Sequence, residues 1–211
     1  MFRIQKRLEA IAPLEPPFEP EVAAELEQMM PPGAPPIALF RTFAKNLPMT
    51  RAMRPWGSYE LSRALSLSLR EREIVIDRTC ARCGCEYEWG VHVAFFAVKA
   101  ALTPAQVTSL TFGDASDPCW TLERERLLIE VVDSLHETND VSDDLAGRLA
   151  ARFTEAERLD LFLLVGWYHA ISYVARAARV PLEDGVPRFA AVSTSEHEGV
   201  RSSLRRPEED A

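Results

Sequence analysis

From residue 37 onward, apolar residues recur every three or four positions, the period of helices with one buried side. Leu39, Phe40, Phe43 and Leu47 make a first stripe, which Pro48 is expected to stop. Residues 55–65 offer Trp56, Tyr59 and Leu61 as a second. A third begins at Ser68, which has Glu71 at capping-box spacing, and runs through Ile74, Val75 and Ile76 to Gly84. Glycine there suits the position just past a helix end. Cys85 opens the next helix, which carries Tyr87, Trp89, Val91, Val93, Phe95 and Phe96 to about Ala101. Thr103 and Pro104 are placed as cap and first residue of another. After a loop over 112–118, residues 120–136 turn Leu127, Leu128, Val131, Val132 and Leu135 inward. A turn at 139–142 leads to a short helix over 143–153. Thr154, boxed by Glu157, caps a last helix to about Arg179, and Pro181 closes it. No strand period interrupts this series, so the expected fold is all-α.

The ends differ from the middle. Residues 1–36 hold Pro13, Pro16, Pro17, Pro20, Pro31, Pro32, Pro35 and Pro36, a density that predicts an arm with one short helix over 21–30. Residues 37–189 form the expected helical domain. Residues 190–211 are polar, have little to bury and are expected to be a mobile tail. The apolar run 159–174 is too short to span a bilayer and contains His169, so it predicts a buried core helix and no membrane partner.

Composition adds exclusions. With 47% apolar and 27% charged residues the chain is ordinary for one globular domain. A net charge of −8 argues against a nucleic-acid partner. The N-terminus lacks a basic stretch followed by an apolar one, so a secretory signal is not expected. Three of the four cysteines fall within six residues, which suits a reducing, cytoplasmic setting better than a disulfide framework. There is no phosphate loop, serine elbow or dinucleotide fingerprint, and neither cofactor nor metal is expected. The expected partner is a small molecule.

The chemistry concentrates in 73–92, EIVIDRTCARCGCEYEWGVH. Cys85, Glu88 and His92, at spacings of three and four, share one helix face. A thiol, a carboxylate and an imidazole together serve nucleophilic or acid–base chemistry. The same stripe also fits a buried cysteine, a surface glutamate and a core histidine. Glu73 lies among Ile74, Val75 and Ile76; it either faces inward as a proton-handling group or sits on a polar face with Arg70, Arg72 and Asp77. Cys85 in a first turn gains from the helix dipole, while Glu86 and Glu88 oppose a thiolate. Cys80 and Cys83 form a C-x-x-C pair that could act in redox chemistry. Cys80, Cys83, Cys85 and His92 together number a zinc ligand set, although all come from one short run. Cys119 reads as structural. His169 suits a core histidine bonded to a carbonyl, or with Tyr168 a place beneath Glu73 and His92.

The run REREIVIDRTCARCGCEYEWGVHVAFFAVKAALTPAQV resembles the core of the carboxymuconolactone decarboxylase and alkylhydroperoxidase-D superfamily. Residues 153–183, FTEAERLDLFLLVGWYHAISYVARAARVPLE, resemble it more loosely. The resemblance implies a domain of two packed helical hairpins that assembles as trimers or hexamers. It puts Glu73, Cys85 and His92 on the family's site positions, with Glu88 where the peroxidase branch carries its second cysteine. It implies a cofactor-free decarboxylase-like enzyme acting on a small carboxylated or lactone-like substrate. There Glu73 and His92 would move protons, Glu88 would orient His92 or act as a second acid, and Cys85 would line the pocket or attack. The alternatives are a thiol peroxidase, with Cys85 resolved by Cys83 or Cys80, and a non-catalytic helical oligomer.

Overall fold

The computed structural model describes residues 9–192, so the expectation for most of the tail lies outside the described residues. These include, with no strand among them, one 3-10 turn and the helices α1 (Pro20–Met29), α2 (Ala38–Phe43), α3 (Leu47–Glu60), α4 (Leu69–Arg82), α5 (Glu86–Phe96), α6 (Pro104–Phe112), α7 (Glu123–Thr138), α8 (Asp143–Ala150) and α9 (Glu155–Ala177), and they end helical at 189–192.

Helix α4 is the axis of the bundle and packs against α5, α6, α7 and α9. Every residue from Arg72 to Cys80 is buried, so this helix has no solvent face over more than two turns. Ile74, Val75 and Ile76 supply apolar area, at roughly 1.5–3 kcal/mol per fully buried aliphatic side chain. Its polar residues need partners there, and most have them. Arg78 forks onto both oxygens of Asp133 on α7, each at 2.7 Å, and donates to the carbonyls of Leu110 and Gly113. Thr79 bonds back to the Val75 carbonyl.

The starts of α4 and α9 carry the predicted capping boxes, Ser68 with Glu71 and Thr154 with Glu157, and at α6 the expected cap Thr103 also forms a box with Gln106. Gly84, at φ +60°, turns the chain between α4 and α5 in a conformation that costs other residues strain. Cys85 sits outside α5 as its N-cap, and that helix ends at Phe96 rather than near Ala101. Pro48 corrects another expectation. It lies in the first turn of α3, where a missing N–H costs nothing, so it begins a helix instead of stopping one. Helix α7 starts at Glu123, because Trp120 is wholly buried as a loop anchor whose indole N–H donates to Ser109 Oγ at 2.7 Å. The run 159–174 is not buried all round: Leu159, Leu163 and Tyr173 are exposed. No helix among the described residues is long and apolar enough to cross a membrane.

The proline-rich arm lies on the domain. Ile11 donates to the Ala178 carbonyl and Leu14 to that of Arg41. A hydroxyl fastens the region further: Tyr87 on α5 accepts from the Leu39 amide at 3.0 Å and donates to Glu183 Oε1 at 2.5 Å. Glu183 also accepts from the Ala38 amide. Gly90, on the same helix, lets the chain after α9 approach closely, since a Cβ there would stand 2.7 Å from the Pro187 carbonyl oxygen.

Candidate active site

Helix α4 presents Glu73 and α5 presents Glu88 and His92, one turn apart, because Gly84 folds the second helix back on the first. Glu73 has no exposed surface. Its Oε2 meets His92 Nδ1 at 2.8 Å, and its Oε1 accepts from Arg72 Nε at 2.8 Å and Nη2 at 2.7 Å. Arg72, itself buried, also donates to the Leu61 carbonyl. A buried carboxylate held by a guanidinium and an imidazole is the paired arrangement that makes such burial tolerable.

The other ring nitrogen, His92 Nε2, lies 2.9 Å from the Tyr168 hydroxyl on α9 and 3.8 Å from Glu88 Oε2. The chain Arg72–Glu73–His92–Tyr168 therefore joins α4, α5 and α9. Burial pulls the His92 pKa down, but the hydrogen-bonded Glu73, with Glu88 and Asp77, outweighs it, and the net shift is upward. Burial pushes the Glu88 carboxyl up against the pull of His92. Glu88 Oε1 has no protein partner. Asp77 is pushed well up by burial and then by Glu73, and neither of its oxygens has a protein partner. Burial, Glu88 and Glu73 hold the Tyr168 hydroxyl well above its usual range, so it remains a proton donor.

Glu88, His92 and Tyr168 reach a cavity of about 860 Å³ between the arm, α2, α3, α5, α9 and residues 183–186. Its wall is mainly apolar, with Phe40, Phe43, Met53, Phe96 and Trp167 prominent. Glu73 lies behind His92, away from the cavity lining.

The cysteines are arranged differently. Cys85 is fully buried and absent from the cavity wall, which corrects the expectation that it lines the pocket. As a non-helical cap it also drops out of the face shared by Glu88 and His92. Burial raises its thiol pKa, and burial with the nearby Glu88 raises that of Cys80 strongly. Cys83 faces a separate cavity. The four residues of the supposed zinc set do not converge, since both His92 nitrogens are already engaged. Cys119 is partly exposed, its sulfur 3.9 Å from the Ala105 carbonyl. Of the C-terminal pair, Tyr168 joins the site, whereas His169 points Nδ1 at the Val165 carbonyl at 2.9 Å and stands elsewhere. Sequence reasoning missed Arg72 and Asp77 as members of the cluster. The available signal was their position on either side of the apolar run Ile74, Val75 and Ile76.

Residues 49–129 match the model of the carboxymuconolactone decarboxylase family. Over that stretch the chain is similar to the family. Both α4 and α5, and with them Glu73, Glu88 and His92, fall inside it. A solved structure described as an alkylhydroperoxidase AhpD core, an uncharacterised peroxidase-related protein from Ralstonia eutropha JMP134, superposes with a TM-score of 0.70. It shares 15% identity over 84% of this chain and 95% of its own, a likeness of fold. None of the curated proteins matches the sequence.

Proposed function

We propose that this protein is a cofactor-independent acid–base enzyme of the decarboxylase type, acting on a small carboxylated or lactone-like molecule held in the 860 Å³ cavity. The observation that carries this is the hydrogen-bonded chain from Glu73 through His92 to Tyr168, which ends at an apolar cavity beside Glu88, a carboxyl whose hold on its proton burial strengthens. Glu73 fixes the ring and supports its cationic form. Cationic His92 donates through Nε2 to the Tyr168 oxygen, and the Tyr168 hydroxyl donates to the substrate oxygen on which negative charge develops. When the bond to the leaving carboxylate breaks, carbon dioxide departs, and the electron pair left behind takes a proton from Glu88, which solvent then reprotonates. Low dielectric around these groups strengthens each of those interactions.

The thiol reading has less support. A peroxidatic cysteine needs access and thiolate character, whereas Cys85 is sealed and its pKa is raised. Assembly into a trimer or hexamer belongs to the same proposal, with Val98, Leu159 and Leu163 as exposed apolar surface to cover. The test is a panel of small lactones and carboxylated lactones, followed by carbon dioxide release and proton uptake. Turnover that survives Cys85→Ser but is lost in His92→Gln supports acid–base chemistry. Peroxide-dependent turnover with a Cys83–Cys85 or Cys80–Cys85 disulfide overturns it. Turnover indifferent to His92→Gln and Glu88→Gln also overturns it.

A further inference from the structure

A second histidine cluster stands apart from the first. Cys83 closes the C-terminal end of α4, His136 lies in the last turn of α7 and His169 is in the middle of α9. These three line a cavity of about 500 Å³ with Arg82, Ser172 and Arg176. One ligand atom from each of the three lies within 4.8 Å of the others. His136 Nδ1 and His169 Nε2 are 3.0 Å apart. Two nitrogens bound to one tetrahedral zinc at about 2.0–2.1 Å stand about 3.3 Å apart, and a sulfur at about 2.3 Å stands about 3.6 Å from each. The imidazoles already have nearly that spacing, and the Cys83 sulfur, within 4.8 Å of both, has at most about 1.2 Å to close.

An independent observation is the orientation of His169. Its Nδ1 points at the Val165 carbonyl at 2.9 Å, so Nδ1 carries the hydrogen and Nε2 offers its lone pair toward His136 and Cys83. Metal-bound histidines are usually steadied through their second nitrogen in this way. We propose that Cys83, His136 and His169 form a binding site for a divalent cation of the zinc class. One thiolate and two imidazoles are a borderline-soft donor set, and the fourth position opens on the cavity for water or a small ligand.

Loading balances simply. Cys83 releases its thiol proton to solvent, the His136 proton moves from Nδ1 to Nε2, and His169 keeps its own on the carbonyl. The neighbouring cations are already engaged. Arg82 pairs with Glu137 at 2.5 Å and Asp133 at 3.4 Å, and Arg176 donates to the Cys83 carbonyl at 2.5 Å. Neither guanidinium is committed to the Cys83 sulfur. The site is separate from the Glu73–His92 chain and does not depend on the function proposed for it.

The test uses the full chain, stripped with chelator and titrated with zinc alone by calorimetry, then with cobalt as an optical probe. The expected result is one ion per chain, with a sulfur-to-cobalt charge-transfer band and the visible bands of a tetrahedral ion. Cys83→Ser removes the charge-transfer band, and Cys119→Ser keeps it. His136→Ala and His169→Ala each weaken zinc by at least about tenfold. Zinc raises the melting temperature of the native protein and leaves that of His136→Ala unchanged, a comparison that stands if Cys83→Ser fails to fold. Zinc binding equal in the native protein and the His136→Ala/His169→Ala double variant overturns the proposal. So does a cobalt complex without the sulfur band, or a native protein that binds neither ion. Each of those results leaves the histidine pair as a hydrogen bond only.

Discussion

The histidine on α5 and the pair on α7 and α9 sit in one bundle, yet their surroundings drive them in opposite directions. His92 is sealed among Glu73, Glu88 and Asp77, and those carboxylates overcome burial to raise its pKa. His136, partly open to solvent, is lowered by burial, by its neighbour His169 and by Arg82, with Asp133 and Glu137 pulling weakly the other way. One ring is held ready to be a cation, the other to be a neutral lone-pair donor. Burial depth does not decide this, since the more deeply buried ring is the one favoured as a cation. The sign of the neighbouring charges decides it.

The contrast can be broken one residue at a time. His92→Gln should cost the largest amount, about 10²–10⁴-fold in turnover of any substrate found in the panel, measured as kcat/KM. Glu73→Gln should follow, with about 3–5 kcal/mol lost in denaturant unfolding, because Arg72 would keep a buried charge without its anion. In the same variant the His92 pKa should fall toward the ordinary value, as read by NMR titration.

Asp77→Asn should act oppositely and stabilise the protein at neutral pH by at least about 1 kcal/mol. A carboxyl whose folded pKa is raised binds more protons folded than unfolded, so its contribution is full below the unfolded value of about 3.9 and falls as pH rises through the folded one. The gain from Asp77→Asn should therefore vanish in acid; a gain independent of pH would refute a raised Asp77 pKa. His92 also has a raised folded pKa, so the stability it contributes is full below about 6.5 and is lost as pH rises through the folded value. The melting-temperature difference between native protein and His92→Gln should narrow on the alkaline side. Tyr168→Phe should cost about 0.5–1.5 kcal/mol in unfolding and leave the cavity intact. Cys85→Ser should change turnover least, by less than about twofold, given a buried thiol outside the cavity.

The sequence was most legible where a local rule has one physical cause. Ser68, Thr103 and Thr154 cap because a hydroxyl oxygen satisfies amides that the helix start leaves free, and Gly84 ends α4 because it tolerates positive φ. The nearness of Glu73 and His92 came from the family pattern; the alternation of residues alone left Glu73 open between core and surface. Pro48 misled because the same ring that breaks a helix interior is harmless in a first turn. Arg72 and Asp77 were hidden for a different reason. They belong to a helix buried on all sides, and a helix without a solvent face gives charged residues no face to mark. His136 and His169 lie 33 positions apart, and only the packing of α7 on α9 brings them together.

Tyr87 and Glu88 are consecutive, one gripping Leu39 and Glu183 and the other facing the cavity. Enclosure and chemistry are thereby mounted on a single turn. A shift of α2 large enough to admit a bulkier guest pulls on that turn and so on the acid beside the hydroxyl. Widening the chamber and keeping the reaction are competing demands, and any lineage that enlarges the guest must first find another way to moor residues 37–39.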